Sequence, residues 1–253
     1  MSVARTDLLQ YLDSCLQPAL FRDYCPNGLQ VEGRAQISRL ATGVTASQSL
    51  LDQAISWGAD AILVHHGYFW KGEGQEIVGI KRRRLSALLI NEVNLLAYHL
   101  PLDAHPQFGN NARLGQLMGI DDPQPLQPGD PGGVGNIGSL ARALPVGKLV
   151  DQLEQITGRS PLHIGDAATL VSRIAWCTGA AQGYIEAAVA AGADVFVTGE
   201  VSEQTVHIAR EEGIQFIAAG HHATERYGVQ ALGDHLAQTF PLEHRFIDID
   251  NPV

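Results

Sequence analysis

Residues 43–66 lie over residues 177–200 at a constant offset of 134, and this repeat narrows the fold more than any other feature of the chain. Ala46, Gln48, Ala54, Gly58, Ala59 and Asp60 meet identical residues at Ala180, Gln182, Ala188, Gly192, Ala193 and Asp194, while Leu51 meets Ile185 and Asp52 meets Glu186. In the first copy Leu50, Leu51, Ala54 and Ile55 have helical spacing, and Gly58 supplies a stop. The apolar run Ala61–Val64 comes next, bounded by turn residues, and reads as a buried strand of a parallel sheet. A second strand, Val93–Tyr98, resembles Ile214–Ala219. Alternation of strands with helices gives βαβ units, so the expected fold class is α/β: two similar lobes with largely parallel or mixed sheets. The alternative is that unrelated βαβ units share this order, since Gly-Ala-Asp is common after helices.

The chain of 253 residues is long enough for one large or two small α/β domains. Pro123, Pro125, Pro128 and Pro131 sit among Gly129, Gly132, Gly133 and Gly135, a composition that marks a loop or linker. The expected division is therefore a first lobe over 1–125, a linker or insertion over 126–139, and a second lobe over 140–253. Other expected elements are a helix bearing Leu8, Leu9, Leu12 and Leu16 that ends before Pro18, a turn at Asn27-Gly28, and a helix over 146–156.

A formal charge of −10 argues against general affinity for nucleic-acid backbones or anionic membranes. The basic run Lys81-Arg82-Arg83-Arg84 reads as the solvated start of a helix, with a phosphate grip as the alternative. No run approaches the roughly 18 apolar residues of a membrane span. The N-terminal residues lack the apolar core of a signal peptide. Cys15, Cys25 and Cys177 are an odd number without metal-ligand spacing and read as reduced thiols of a cytoplasmic protein.

The chemistry gathers at strand ends. His65 and His66 close the Ala61–Val64 run, Asp103 lies just past Val93–Tyr98, and His221 lies just past Ile214–Ala219, with Glu225 four residues on. Ligands of open α/β sheets bind beyond the carboxyl ends of the strands. If a helix starts at Ala223–Glu225, Glu225 turns back to the same edge. Three imidazoles, two carboxylates and no thiolate suit Zn, Fe, Mn, Co or Ni. Five ligands exceed what one catalytic zinc needs and suit two divalent ions sharing a carboxylate, for which Glu225 is the preferred bridge. His99, His105, Glu200 and His222 are further candidates: Glu200 to orient a ligating imidazole or act as a base, the others as loop residues unless the fold brings them in. Tyr68, Phe69 and Trp70 either wall a pocket, stacking on a planar base, or pack a loop or a subunit interface.

The chain resembles the NIF-three-like family, whose members are often labelled GTP cyclohydrolase I type 2 homologues. The resemblance runs from Asn27-Gly28-Leu29-Gln30-Val31 through His65-His66-Gly67, His99-Leu100-Pro101-Leu102-Asp103, Gly109-Asn110-Asn111 and Thr198-Gly199-Glu200 to Gly220-His221-His222-Ala223-Thr224-Glu225. At the first strand end Thr45-Ala46-Ser47 stands where the family's familiar Asp would be, as in a bacterial branch. The resemblance implies dinuclear ligands at His65, His66, Asp103, His221 and Glu225, and a toroidal homohexamer with its metal sites on an internal cavity. It also implies a metal-dependent hydrolase acting on a nucleotide or related small molecule. Neither a phosphate-binding P-loop nor a clear guanine-reading carboxylate is found. The competing reading is a non-catalytic metal-binding scaffold or interaction protein, contacting nucleic acid through its ring.

Overall fold

A computed structural model describes residues 1–120, 122–129 and 133–253. Pro131 and Gly132 of the expected linker, with Asp121 and Asp130, lie outside the described residues. The chain opens with β1 (Val3–Ala4) and α1 (Arg5–Leu16), whose Leu8, Leu12 and Leu16 are buried along one helical stripe. Pro18 starts a separate 3₁₀ turn instead of continuing α1. Next come β2 (Gly28–Val31), β3 (Gln36–Ile37), β4 (Arg39–Thr45), α2 (Gln48–Trp57), β5 (Ala61–His66), α3 (Gly79–Ile90), β6 (Asn94–Ala97) and α4 (Leu100–Ala104). They are followed by α5 (Asn110–Leu117), β7 (Gln124–Pro125), β8 (Asn136–Pro145), α6 (Val146–Thr157), β9 (Leu162–Ile164) and β10 (Leu170–Cys177). The remainder is α7 (Ile185–Ala190), β11 (Val195–Thr198), α8 (Glu203–Glu212), β12 (Gln215–Ala218), α9 (His221–Thr224), α10 (Arg226–Thr239) and β13 (Glu243–Phe246). None of the described helices is long and apolar enough to cross a membrane.

The chain divides into two units, one of Met1–Leu102 with Gly228–Asp250, the other of Asp103–Tyr227 with Asn251–Val253. The first carries a five-stranded sheet in the order β13-β4-β5-β6-β2, parallel except for β2. Leu50, Leu51 and Ala54 of α2 and Leu85 and Leu88 of α3 pack on Ala41, Ile62, Val64 and Leu95. Burying each large side chain contributes roughly 1.5–3 kcal/mol. Ala61 to Val64 are all fully buried, which is why the run is continuously apolar rather than alternating. The second unit carries a six-stranded mixed sheet, β7-β8-β10-β11-β12-β9, in which β10, β11 and β12 are parallel. One core holds Leu114, Leu149, Leu153 and Trp176, and another Ile185, Phe196 and Phe216.

The repeat extends to individual hydrogen bonds. The Asp60 carboxylate accepts from the backbone N–H of Ser38 (2.8 Å) and Arg39 (3.0 Å). Asp194 accepts from Ser172 and Arg173, both at 2.8 Å. Each aspartate also uses its own backbone: its N–H bonds Arg39 or Arg173, and its carbonyl accepts from Asn94 or Gln215, at the start of the third strand. Gly58 (φ 81°) and Gly192 (φ 72°) take the left-handed conformation that ends the preceding helix. The turn itself therefore demands Gly and Asp at these places in each βαβ unit.

The boundaries differ from those expected. The stretch 126–139 lies inside the second unit, and Asn136 already belongs to β8, paired with β10. The chain passes between units within α4 and α10 instead. The physical reason is long-range pairing. β13 returns to lie parallel to β4 (Glu243 opposite Arg39), while Trp176 Nε1 donates to the Asn111 carbonyl at 2.8 Å and ties α5 to β10. Neither contact leaves a local signal in composition.

His244 secures that returning strand. Its Nδ1 bonds Asp234 at 2.9 Å and its Nε2 meets the Thr42 hydroxyl at 2.8 Å. Burial pulls its pKa below the ordinary 6.5, with Asp234 only partly offsetting this. Charging the ring thus costs more in the folded than in the unfolded chain. The stability that depends on neutral His244 is complete above pH 6.5 and lost as pH falls below it. We predict that His244→Gln lowers Tm at about pH 7.5, through altered hydrogen bonds to Thr42 and Asp234 of about 1 kcal/mol in all, but flattens the fall of Tm between about pH 7 and pH 5. Thermal unfolding by circular dichroism across that range checks this; parallel wild-type and variant curves would refute it.

Candidate metal centre

In the first unit, β5 delivers His65 fully buried and His66 half-buried at its carboxyl end. His65 Nδ1 faces the Tyr98 carbonyl at 3.1 Å. A carbonyl only accepts, so the proton sits on Nδ1 and the lone pair on Nε2, the tautomer a ligating imidazole needs. His66 Nδ1 meets the hydroxyl of Thr45, its register partner at the end of β4, at 3.1 Å. His99, just past β6, is the third imidazole: ring nitrogens of His65, His66 and His99 lie within 4.8 Å of one another.

His99 is held by residues that sequence reasoning did not connect to it. Its Nδ1 bonds Asp23 at 2.7 Å, and its backbone N–H donates to Asn27 Oδ1 at 2.8 Å. The Asp23 carboxylate also receives Tyr24 N–H (2.6 Å), Asn27 Nδ2 (2.9 Å) and Leu100 N–H (3.0 Å). Burial alone would raise the pKa of Asp23, but the hydrogen bonds from His99 and Asn27 outweigh it and leave it at about 2. The same burial, with the charge of Asp23, pushes the Cys25 thiol up to about 12, so it packs as a neutral thiol.

In the second unit, α4 carries Asp103 and the α9–α10 junction carries Glu225, both buried, with carboxylate oxygens within 4.8 Å of each other. Asp103 Oδ1 accepts from Asn110 Nδ2 (2.9 Å) and the Thr178 hydroxyl (3.4 Å), and the Asp103 carbonyl accepts from Asn111 Nδ2 (3.3 Å). His221 bridges two carboxylates, with Nδ1 at 2.7 Å from Glu200 and Nε2 at 3.2 Å from Glu225. Burial disfavours its charged form, yet Glu225 and Glu200 together hold its pKa up at about 9. Cys177 is buried near both Asp103 and Glu225, and its pKa lies well above that of a free thiol.

Gly179, at φ 72°, comes so close to Glu225 that an added Cβ would strike its carboxylate and lie 3.4 Å from His221 Nε2. Its backbone is fixed on both sides, its N–H donating to Thr224 Oγ1 (3.0 Å) and its carbonyl accepting from Thr198 Oγ1 (3.2 Å). The missing side chain is space reserved for the acid.

A family model described as Duf34/NIF3 (NGG1p interacting factor 3) matches residues 3–252. The chain belongs to the Duf34/NIF3 family. It is 57% identical over its whole length, and the relative's whole length, to a Pseudomonas aeruginosa protein named "GTP cyclohydrolase 1 type 2 homolog". Among solved structures it is similar to protein ybgI, of unknown function (TM-score 0.94, 50% identity, 99% of this chain and 100% of that one). It is also similar to TTHA1606 from Thermus thermophilus (TM-score 0.90, 35% identity, 99% and 100%). These likenesses bear out the mixed α/β fold.

In this Duf34/NIF3 chain the donor set fits a hard or borderline divalent ion. Two buried carboxylates near each other are costly unless a cation joins them, and no thiol is poised to lose its proton. Glu200 takes the place of a carboxylate orienting an imidazole. Other expectations are corrected. The helix begins at His221 rather than at Ala223, because Gly220 (φ 102°) turns the chain immediately before it. His105 caps its own turn, accepting from Gln107 and Phe108 N–H, and His222 is tied through its backbone N–H to the Val253 carbonyl. Among the described residues, neither joins a group able to hold a metal. Gly28 opens β2 instead of a turn, and Asn27 bridges Asp23 to His99. Asp23 and Gly179 escaped sequence reasoning because their partners lie far along the chain, and Asn110 entered only as part of a motif, with no role attached.

The Gly179 geometry makes a paired prediction. Gly179→Ala should displace Glu225 and lower metal content. Gly192→Ala has the same φ of 72° with nothing within 4 Å of its Cβ. It should cost only about 1 kcal/mol or slightly more of backbone strain and leave metal content unchanged. Elemental analysis with thermal melts compares them; equal metal loss in the two variants would refute the role of Gly179.

Proposed function

We propose that the chain holds two divalent metal ions through His65, His66, Asp103, His221 and Glu225, and hydrolyses a nucleotide or related small molecule. The observation that carries this reading is the buried pair Asp103 and Glu225, within 4.8 Å of each other in one unit. Like charges so placed repel strongly in a low-dielectric interior and call for a cation. When bound, divalent ions supply Lewis acidity toward a substrate oxygen and make water a better nucleophile at neutral pH. The chain's own part is orientation. The Tyr98 carbonyl and Glu200 orient the rings of His65 and His221, Asn110 and Thr178 aim the Asp103 carboxylate, and Glu225 would be the carboxylate shared by the two ions. Fe, Zn, Mn, Co and Ni all suit these donors.

The relatives' printed names motivate purine-ring opening of the GTP cyclohydrolase kind as the first reaction to test. The charge of −10 favours a small-molecule substrate over nucleic acid. Three cysteines without a disulfide fit a reducing cytoplasm. The family resemblance supports a homohexamer, and light scattering of a monomer mass at micromolar concentration would end that proposal.

The test is anaerobic purification with elemental analysis, then turnover assays of the same sample on nucleotides, peptides and phosphoesters. A bridging carboxylate serves both ions and a terminal imidazole one. His65→Ala should therefore keep up to one metal per chain and Glu225→Ala less, both remaining folded because the ligands lie outside the hydrophobic cores. Folded Glu225→Ala with two metals refutes the bridge. Two metals in both variants refute the dinuclear site. Metal without turnover on any substrate, together with partner binding unaffected by ligand mutations, favours the scaffold reading.

A further inference from the structure

The segment directly after His65-His66 is built in a way that packing alone does not explain. Phe69 sits at φ 65°, a left-handed conformation that is a true outlier for a bulky side chain, and the residue is more than a third exposed. Such strain persists only where the surroundings over-determine it, and here they do. Gln30 clamps Tyr68 from both sides, its Oε1 accepting from Tyr68 N–H (2.7 Å) and its Nε2 donating to the Tyr68 carbonyl (3.1 Å). The Tyr68 hydroxyl donates to the Ala46 carbonyl (2.8 Å), and Lys71 N–H to the Tyr24 carbonyl (2.7 Å). Trp70 Nε1 donates back to the Gly67 carbonyl (3.2 Å), which sets the indole plane.

The rigid loop thus presents two aromatic rings of different exposure. Trp70 is half-buried, with its centroid 5.1 Å from His99 in an edge-on contact and 6.0 Å from His66. Phe69 stands one residue away with Lys81 Nζ 5.3 Å from its centroid. Tyr68, by contrast, is buried and packs in the core. A cohesive loop would hide Phe69 and leave its backbone relaxed. This one keeps a strained Phe69 partly exposed, next in sequence to Trp70, whose ring lies beside the candidate ligand His66.

We propose that Trp70 and Phe69 form a stacking platform that binds the planar heteroaromatic ring of the small-molecule substrate. The inference rests on the reading of the site as one for a nucleotide-like substrate. Aromatic faces recognise nucleobases through their π-surfaces without reading an edge, which accords with the absence of a clear guanine-reading carboxylate in the sequence.

Binding, not turnover, tests it, so the outcome does not depend on whether the hydrolase reading survives. Guanosine, GTP, ribose 5-phosphate and a single-stranded oligonucleotide are titrated by calorimetry into metal-depleted and metal-loaded protein. We expect guanosine and GTP to bind both forms and ribose 5-phosphate to bind neither measurably. Trp70→Ala should weaken guanosine and GTP by the same factor, about tenfold, and Trp70→Phe should restore most of that loss. Phe69→Gly removes both the ring and the strain. It should weaken guanosine several-fold while leaving Tm equal to or above that of wild type. Metal content should be unchanged in all three variants. The platform is refuted if guanosine binds neither form, if Trp70→Ala binds it as tightly as wild type, or if only the oligonucleotide binds. It is equally refuted if Trp70→Ala loses metal or Phe69→Gly lowers Tm along with affinity, since the rings would then be supporting the fold or His66 rather than a ligand.

Discussion

The parallel strands at the centre of each sheet depend on one carboxylate at their start. Asp60 in the first unit and Asp194 in the second bond the entry to one strand through the side chain and tie the two neighbouring strands through their backbone groups. With the parallel register set at these entries, residues at the carboxyl ends come out opposite one another. Thr45 stands opposite His66, and Cys177 opposite Thr198 opposite Ala218. Polar residues just beyond level ends are brought within a few ångströms of one another although tens of residues separate them. The chemistry at one edge is thus a consequence of the bonding at the other.

On that common frame the two units carry different groups. The overlay that aligns Asp60 with Asp194 puts His65-His66 on Gly199-Glu200. The first unit ends its strands in imidazoles, the second in carboxylates and the one imidazole between them. What the two edges share is orientation by oxygen. A backbone carbonyl, a hydroxyl and a carboxylate address Nδ1 of His65, His66 and His221 respectively, and an amide and a hydroxyl address Asp103. Side chains held this way lose little freedom on taking up a metal, which is the usual use of such outer contacts.

The same economy of placement appears at glycines. Gly58 and Gly192 are required by a turn, whereas Gly179 is required by a neighbour, the Glu225 carboxylate. Phe69 is the opposite case, a bulky residue in a conformation suited to glycine, kept there by hydrogen bonds from Gln30 and Trp70. Two of the chain's departures from local preference, Gly179 and Phe69, thus lie close to candidate ligands, Gly179 against Glu225 and Phe69 three residues past His66.

By itself the sequence determined everything that short-range periodicity dictates. The apolar run Ala61–Val64 had to be a buried strand, Gly58 had to end a helix, and the polar residues after apolar runs had to lie at or past strand ends, which is why His65, His66, Asp103, His221 and Glu225 could be read as candidate ligands. It also determined the α/β class, because alternating elements of those lengths have few other ways to bury both sheet faces. Only the tertiary structure decided that β13 returns to β4, so that the units exchange at α4 and α10 instead of at the Pro/Gly-rich stretch. Only it decided that Asp23 holds His99, that Asn110 aims Asp103, and that His105 turns away to cap its own loop. These are pairings between residues whose types are individually common in loops. Their selection depends on which strand ends the long-range hydrogen bonding brings level, and no local pattern of hydrophobicity encodes that.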